Sequence, residues 1–410
     1  MNSLGFNKDP SSTTVVVAMS GGVDSSVTAG LLKKEGYNVI GITLQLYTSN
    51  NSAKKGSCCS GLDIYDARRV AQKLDIPHYV FNYEKTFKSD VIDYFINAYE
   101  NGETPIPCVK CNETVKFRDL MNFAKKLEAD CMATGHYIRR KGNIKDAHMY
   151  RAEDKSKDQS YFLFATTQDQ LDYLRFPLGE ISKAETRKIA EDLGLIVYDK
   201  KDSQDICFIP DGDYKKFIKS NKKKGEILDL SGNVLSFHDG IQNFTVGQRR
   251  GLGIANEDPL YVVDIIKDKN QIIVGDKKDL LGKSLLLGDL NFIMPEYDLS
   301  KKTVEIPCSA KIRSLSEPKK GKLINPSQLD SVWLRQPKNT EIRNFKLLYV
   351  GRIRVEKGIF ALSELIRNKR DISLTIIGAE KGSSNKINQS NIKILPTPVS
   401  YTHLTLPTKA

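Results

Sequence analysis

A short glycine-containing stretch near the start of the chain combines residue types that suit phosphate binding. The segment TTVVVAMSGGVDSS (13–26) predicts a strand, a tight turn and the start of a helix. Such a turn aims backbone N–H groups and a helix dipole at one point, which suits a phosphate. Gly21 and Gly22 matter because a side chain would hold the anion away from the backbone. The stretch is not a Walker A motif, since no Lys-Ser or Lys-Thr pair follows the glycines. An ordinary turn with Asp24 or a serine as helix N-cap is the alternative.

Cysteine is the second residue type here that could do chemistry. The chain has 7 cysteines, and an odd number favours free thiols over a disulfide scaffold. Cys108 and Cys111 form a CxxC pair, and Cys207 lies in the apolar segment DICFIP. The pair could be half of a zinc site, but no second CxxC or HxxxH supplies the other two ligands. Cys131 and Cys308, in apolar strands, are predicted to be buried packing residues.

Strands and helices alternate in the first half of the chain and would position these residues. Further strands are predicted at 38–47, 78–83 and 131–137, and helices at 61–77, 86–102 and 182–195. This alternation predicts a doubly wound parallel sheet, with ligands at the carboxyl ends of its strands. Two prolines break any helix just before Cys108 and Cys111, which are predicted in a loop or at a helix start. Cys207 is predicted in a short strand.

The pattern changes to short strands with turn signals from about residue 216, as in a small β-rich domain. A second β stretch begins near 279 and ends early, at about 322. The segment KLLYVGRIRVEKGIFALSELI, followed by LTIIGAE, reads as one βαβ unit and resembles the start of the nucleotide-sugar domain of a GT-B glycosyltransferase. The final PTPVSYTHLTLPTKA resembles translated sequencing-adaptor sequence. We therefore expect residues 323–410 to be a foreign or poorly ordered tail.

The overall charge favours an anionic partner. The 410 residues carry a formal net charge of +12, and basic residues cluster at 139–145, 219–226, 247–251 and 317–322, which are predicted to be loops. Nucleic acid is the natural partner, and a solvated basic surface is the alternative. No apolar run approaches the length of a membrane span, and the first residues lack the pattern of a signal peptide. We expect a cytoplasmic protein without a membrane association.

Several motifs coincide in one order along the chain: AMSGGVDSS, CCSGLDIYDARRVAQKL, TPIPCVKCNETVKF, MATGHY, KDQSYFL, DSQDICFIPDGDY and FTVGQRRGL. Together they resemble the tRNA-specific 2-thiouridylases of the PP-loop ATPase superfamily, over about residues 13–315. The resemblance implies an α/β PP-loop domain over 1–215, a small β-rich domain over 216–278 and a truncated C-terminal β-barrel over 279–322.

The resemblance also implies a reaction. Members of this family use ATP to adenylate the C2 oxygen of the wobble uridine, U34, and replace that oxygen with sulfur from a cysteine persulfide. ATP and Mg²⁺ are the implied cofactors. The implied partners are tRNA, contacted at the anticodon stem-loop, and a persulfide donor such as a cysteine desulfurase or a sulfur-relay protein. We expect a monomer.

Family roles transfer to this chain by position. Cys111 falls on the nucleophile and Cys207 on the cysteine that carries the persulfide. Many family members have Asp at the position of Cys108, so an acid role there cannot transfer. The implied ATP-binding residues are Ala18, Met19, Ser20, Gly21, Gly22, Val23, Asp24, Ser25, Leu44 and Gly135, with Asp24 a candidate Mg²⁺ ligand. The implied tRNA-binding residues are Ile106, Pro107 and Cys108, facing the target base, and His136, Lys157, Asp158 and Gln159.

Two questions stay open at the level of sequence. The persulfide route needs only Cys111 and Cys207, whereas a second route would add Cys108 and hold three irons of a [4Fe–4S] cluster whose fourth iron binds the sulfur. At the level of function, the alternatives are another AMP-forming PP-loop ligase or amidotransferase-type enzyme, and a non-catalytic basic RNA-binding protein.

Overall fold

The computed structural model describes residues 1–47, 61–202, 206–209, 214, 218, 223–282, 285, 287–293 and 305–324, and the backbone of 345–350, 372–379 and 392–396. The chain divides into two compact units, one containing Met1–Ile293 and the other containing Met294–Leu404. No helix in the described ranges is both long enough and apolar enough to cross a membrane.

The regular elements of the first unit follow the alternation expected from the sequence. Its described strands are β1 (Thr14–Ala18), β2 (Asn38–Gln45), β3 (His78–Asn82), β4 (Cys131–Ala133), β5 (Ile138–Asn143), β6 (Asp146–Arg151), β7 (Leu174–Arg175), β8 (Gly225–Leu228), β9 (Val234–His238), β10 (Tyr261–Ile266) and β11 (Gln271–Gly275). Its described α-helices are α1 (Val23–Lys34), α2 (Gly61–Lys73), α3 (Glu84–Phe87), α4 (Asp93–Glu100), α5 (Pro107–Cys111), α6 (Met121–Lys126), α7 (Gln168–Tyr173) and α8 (Lys183–Asp192).

A five-stranded parallel sheet in the order β3-β2-β1-β4-β7 lies at the centre of this unit. Its middle strand is a run of valines, which favour the extended backbone, and Val15, Val16 and Val17 are fully buried. Val15 and Val17 pack in one hydrophobic cluster with side chains of α1, α2 and α8, whereas Val16 packs in a second cluster with side chains of α3 to α7. Helices therefore cover both faces, and the prediction of a doubly wound parallel sheet is confirmed.

Two long helices contain π-helical segments. α3 continues through Lys88–Ile92 into α4, and α5 continues through Asn112–Leu120 into α6. The long helix predicted at 86–102 is confirmed, with an irregular middle. Pro107 occupies the first turn of α5, where its missing N–H costs nothing. The prediction of a helix start at the CxxC pair is thus also confirmed, and a π segment, a feature common at functional sites, follows it directly.

The basic stretch at 139–145 was predicted to be a loop, and this prediction is wrong for residues 139–143. They lie in β5, which pairs with β6 as an antiparallel hairpin. A hairpin that exposes much of both strands carries no strong apolar alternation, so its sequence reads as a loop.

A separate β-rich domain follows in the same unit, as predicted. Its strands have the order β10-β11-β8-β9, with β8 and β11 parallel and the other pairs antiparallel. It has a core of its own, whose buried members are Ile227, Ile241, Phe244, Leu252, Val262, Ile272 and Val274.

The second unit contains two described groups of strands. β12 (Glu305–Ala310) pairs with β13 (Lys319–Ile324) in antiparallel fashion. The basic stretch at 317–322 was predicted to be a loop, and this prediction is wrong for residues 319–322, which lie in β13. β14 (Phe345–Val350), β15 (Ile372–Ala379) and β16 (Ile392–Pro396) form a parallel sheet. Cys308 on β12 is exposed, so its predicted burial is wrong. Cys131 on β4 is fully buried as predicted, and burial raises the pKa of its thiol to about 12.

Candidate active site

The glycine turn joins the carboxyl end of β1 to α1. Gly21 has a φ of +73°, and a Cβ built on it would lie 2.0 Å from the carbonyl oxygen of Asp63. Gly22 is different, because its φ of −94° and ψ of 171° are open to any residue. Among the described residues, the nearest atom to a Cβ on Gly22 is Ser20 Oγ, at 3.5 Å. Neither the backbone nor the packing of the described residues requires glycine at position 22, and the space beside it suits a ligand such as a phosphate group.

Serine side chains brace the turn from within. The backbone N–H of Ser20 donates to Ser25 Oγ at 3.1 Å, and the hydroxyl of Ser26 donates to the carbonyl oxygen of Gly22 at 2.8 Å. Gly22 is the N-cap of α1, and no described side chain caps this end of the helix. The alternative prediction of Asp24 or a serine as N-cap is therefore wrong. A helix N-terminus without a side-chain cap is the arrangement that binds a phosphate.

Lys200 ties the turn to α2. Its ammonium donates to the carbonyl oxygen of Gly21 at 2.8 Å, to Asp63 Oδ1 at 2.7 Å and to Asp66 Oδ2 at 2.6 Å. Burial opposes the charge, but the two carboxylates outweigh burial and raise the pKa of Lys200. The left-handed residue of the turn is thus held in place by a permanent cation.

The carboxylate of Asp24, in the first turn of α1, also has partners. Its Oδ1 accepts hydrogen bonds from Lys183 Nζ at 2.6 Å and from the Tyr137 hydroxyl at 2.9 Å. Burial and the charge of Asp24 raise the pKa of Tyr137, so its hydroxyl stays protonated. An Mg²⁺ ion at Asp24 would have to compete with the Lys183 ammonium.

The predicted ATP-binding positions lie along one edge of the sheet. β1 ends at Ala18, Leu44 is one residue from the end of β2, and Gly135 follows β4. β2 and β4 flank β1, so these three carboxyl ends are neighbours. A Cβ on Gly135 would lie 2.7 Å from the backbone of Asp24, and only glycine allows this close approach to α1. Met19, Ser20, Gly21, Gly22, Val23 and Ser25 complete the edge, and their role towards ATP stays a prediction.

Cys111 and Cys207 share one hydrophobic cluster. Cys111, the last residue of α5, is 7% exposed and belongs to this cluster, and the half-buried Cys207 packs against it. The next residue, Phe208, makes an edge contact with Phe87 at 5.7 Å between ring centroids. The hydroxyl of Tyr47 donates to the carbonyl oxygen of Cys207 at 2.7 Å. Neither thiol forms a disulfide with another described cysteine.

The prediction of a strand at Cys207 is wrong. Cys207 lies in a tight turn, closed by a hydrogen bond of 2.9 Å from the N–H of Ile209 to the carbonyl oxygen of Ile206. Phe208 and Ile209 are buried in the same hydrophobic cluster as the helices beside the sheet, and Ile206 and Cys207 pack against this cluster.

Cys108 differs from these two cysteines because its side chain is exposed, in the first turn of α5. Among the described residues, which include Cys108, Cys111 and Cys207, no three His, Cys, Asp or Glu side chains are grouped as a metal site requires. The donor set of the [4Fe–4S] alternative is therefore not assembled in this structure, and the residues present do not fit a cluster.

His136 follows Gly135 at the same sheet edge and is held in its neutral form. Its Nδ1 is 2.7 Å from Thr134 Oγ1, and Phe117 makes an edge contact with its ring at 5.8 Å. Burial, together with the positive charge of Lys116, lowers the pKa of His136 to about 3. At neutral pH it can offer hydrogen bonds but no charge.

The turn at 157–159 is anchored from inside. The carboxylate of Asp158 is 1% exposed and accepts hydrogen bonds from Arg151, Ser160 and the N–H of Ala152, which hold the pKa of Asp158 low against the effect of burial. The Gln159 amide oxygen accepts a hydrogen bond from the N–H of Tyr137 at 2.9 Å.

The remaining predicted tRNA-binding residues differ in exposure. Lys157 is 40% exposed, and its ammonium lies 2.9 Å from Asp202 Oδ2. Of the residues predicted to face the base, Pro107 is buried, Ile106 is partly buried and Cys108 is exposed. The structure thus leaves Lys157 and Cys108 most accessible to a large substrate.

Sequence reasoning missed Lys183, Lys200, Tyr137 and Asn112. The first three bind the glycine turn or Asp24 from positions more than one hundred residues away. Asn112 follows Cys111, and its Nδ2 donates to the carbonyl oxygen of Phe162 at 3.2 Å. Its buried Oδ1 has no hydrogen-bond partner in the part of the chain that the structure describes. The capping motif SKAE at the start of α8 was the one local signal, because it places Lys183 in the first turn.

Comparisons with known proteins agree on one family. A family model described as the tRNA methyl transferase HUP domain matches residues 13–211, and one described as the tRNA methyl transferase PRC-barrel domain matches residues 215–276. The chain is 54% identical over 326 residues to the tRNA-specific 2-thiouridylase MnmA of Dinoroseobacter shibae, which covers 78% of this chain and 84% of that protein. It is also 54% identical over 329 residues to the tRNA-specific 2-thiouridylase MnmA of Rhizobium leguminosarum bv. trifolii, covering 78% and 82% of the two chains.

Proposed function

The chain belongs to the family of tRNA-specific 2-thiouridylases, and we propose from this premise that it is a tRNA-uridine 2-sulfurtransferase. It uses ATP to replace the C2 oxygen of the wobble uridine, U34, with sulfur, and it forms AMP and pyrophosphate. The observation that carries the proposal is the 54% identity over 326 residues to a tRNA-specific 2-thiouridylase. The family match over residues 13–211, a range that contains the glycine turn, Cys111 and Cys207, supports it.

The first step activates the uridine. Its C2 oxygen is a poor leaving group, so this oxygen attacks the α-phosphate of ATP and pyrophosphate departs. We assign the phosphates to the turn at Ser20–Ser25, where the absence of a Cβ at Gly22 leaves space, and the rest of the nucleotide to the edge between Leu44 and Gly135. Mg²⁺ bound with ATP would neutralise phosphate charge, with Asp24 as its candidate ligand.

The second step transfers sulfur. A donor loads Cys207 as a persulfide, and the outer sulfur attacks C2 of the adenylated uridine. The Cys111 thiolate then attacks the inner sulfur, which forms a Cys111–Cys207 disulfide, leaves the outer sulfur on the uridine and allows AMP to depart. A thiol reductant reopens the disulfide for the next turnover. The placement of both cysteines in one hydrophobic cluster supports this route.

Binding of tRNA uses the same edge of the sheet. We assign contacts with the target base to Ile106, Pro107 and Cys108, and further contacts to His136 and the turn at 157–159. Within that turn the carboxylate of Asp158 is engaged by the protein, so Lys157 and the backbone make the contacts. The net charge of +12 supports a polyanionic substrate.

The wider organisation follows the family. We propose a PP-loop domain over 1–215, a β-rich domain over 216–278, a truncated β-barrel over 279–322 and a tail over 323–410 that the reaction does not use. We also propose a cytoplasmic monomer that receives sulfur from a cysteine desulfurase or a sulfur-relay protein.

Nucleoside mass spectrometry tests the proposed function. Unmodified tRNA is incubated with the protein, ATP and a persulfide donor, and parallel reactions omit ATP or use Cys207→Ser. We expect 2-thiouridine at position 34 only in the complete reaction. A folded protein that produces no 2-thiouridine with an active donor, or that produces it equally well without ATP, would contradict the proposal.

A further inference from the structure

The ammonium of Lys183 lies between two carboxylates beside the glycine turn. Its Nζ is 2.6 Å from Asp24 Oδ1 and 2.8 Å from Asp202 Oδ1, and its side chain is only 11% exposed. The ring of Tyr137 packs against it, with its centroid 5.8 Å from Nζ. This buried cation therefore lies next to the first turn of α1, where the proposed phosphate site is.

Local structure does not explain a lysine at this position. Lys183 is the first residue of α8, after the N-cap Ser182, and a helix dipole disfavours a cation there. Burial adds a desolvation cost that an ion pair offsets only in part. A residue that conflicts with its local surroundings in this way indicates a functional demand.

Both carboxylates keep other partners if the ammonium moves. Asp202 also pairs with Lys157 and Arg187, each at 2.9 Å, and Asp24 accepts the hydroxyl of Tyr137. Hydrogen bonds from Lys183 and Lys157 outweigh the effect of burial and lower the pKa of Asp202 to about 2, so this carboxylate stays charged. The ammonium can thus leave either carboxylate without leaving it unpaired.

The charge balance also favours a change of partner. Three cations and two carboxylates form this network, which gives the network itself one net positive charge. A phosphate chain carries several negative charges, and it forms strong charge-assisted hydrogen bonds with an ammonium. Without Lys183, the carboxylate of Asp24 would lose its ammonium partner beside the space assigned to phosphate.

We propose that Lys183 binds the phosphate chain of ATP, exchanging a carboxylate partner for a phosphate oxygen when the nucleotide enters. In the absence of nucleotide the same ammonium neutralises Asp24 and Asp202 and keeps the site folded. This inference rests on the ATP-dependent step of the proposed function.

Equilibrium binding of ATP to the full chain, measured without tRNA, tests the proposal. We expect Lys183→Met to weaken ATP binding by about tenfold or more, the loss typical of a charge-assisted contact. Lys188→Met is the matched control, because it removes the same charge from an exposed position of α8. Its ATP affinity should stay within about twofold of the parent protein. Thermal unfolding of each variant is recorded alongside.

A double variant separates phosphate binding from a purely structural role. If Lys183 only neutralised Asp24, adding Asp24→Asn to Lys183→Met would restore both thermal stability and an ATP affinity equal to that of Asp24→Asn alone. The proposal predicts that stability returns while ATP affinity stays about tenfold below that of Asp24→Asn. Equal ATP affinity in Asp24→Asn and in the double variant would overturn the proposal. Since tRNA is absent from the assay, a failure of thiolation would leave this result unaffected.

Discussion

Substitution of Gly22 by alanine should separate ligand binding from folding. The backbone at Gly22 has ordinary extended angles, and a Cβ there would meet its nearest protein atom at 3.5 Å, an ordinary van der Waals distance. We therefore expect Gly22→Ala to change the free energy of unfolding by less than about 1 kcal/mol. The methyl group would occupy the space assigned to phosphate.

The expected effect on ATP is much larger. Displacing a phosphate oxygen from one backbone N–H removes a charge-assisted hydrogen bond of about 1.5–3 kcal/mol, which weakens ATP binding by roughly 10- to 150-fold. Gly21→Ala is the contrasting variant. Its φ of +73° and the contact of 2.0 Å with Asp63 predict a loss of folding stability, of which about 1–2 kcal/mol comes from the left-handed backbone alone.

Isothermal titration calorimetry measures the ATP affinity of both variants, and urea unfolding measures their folding stability. The expected pattern is a stable Gly22→Ala protein that binds ATP poorly and a destabilised Gly21→Ala protein. Tight ATP binding by Gly22→Ala would refute the assignment of a phosphate group to the space beside Gly22. Equal destabilisation by the two substitutions would show that packing, and not a ligand, accounts for glycine at position 22.

Three further outcomes are expected. Cys111→Ser should still release pyrophosphate and should accumulate a persulfide on Cys207, detected as the mass of one extra sulfur atom. Cys108→Ser should keep its thiolation activity. Loss of activity in Cys108→Ser would favour a role for this third thiol. Because the pKa of His136 lies below its unfolded value, its contribution to stability is complete above about pH 6.5 and declines as the pH falls towards 3. Urea unfolding should therefore show a smaller loss of stability in acid for His136→Gln than for the parent protein. Parallel pH profiles of the two proteins would contradict a neutral imidazole at this position. Affinity for tRNA should fall steeply and linearly with salt on logarithmic axes, and a flat filter-binding profile from low to physiological salt would argue against phosphate contacts.

The parts of the fold that were predictable from sequence depend on local periodicity. The valines of β1 predicted a buried strand, and the two glycines after it predicted the turn. In the structure Val15 and Val16 face opposite sides of the sheet, as successive side chains of any strand do. Such patterns repeat within a few residues, so they can be read without knowing the partner of each side chain.

The parts that were not predictable depend on pairings across the chain. Lys183 and Lys200 reach the glycine turn from 159 and 179 residues away in sequence, and no local pattern marks such a contact. Cys207 was misassigned because a short apolar run can pack as a turn as well as a strand. Cys308 was predicted to be buried in a strand. The strand is observed, but which face of the strand is covered depends on tertiary packing, which the local sequence does not show.

The fate of the C2 oxygen of U34 tests the central claim most directly. If the enzyme adenylates this oxygen before sulfur attacks, a tRNA labelled with oxygen-18 at C2 of U34 must yield AMP that carries the label. Mass spectrometry of the AMP formed during thiolation measures this transfer. The account predicts one labelled oxygen in AMP for each 2-thiouridine formed. Unlabelled AMP, with 2-thiouridine produced at a normal rate, would contradict it.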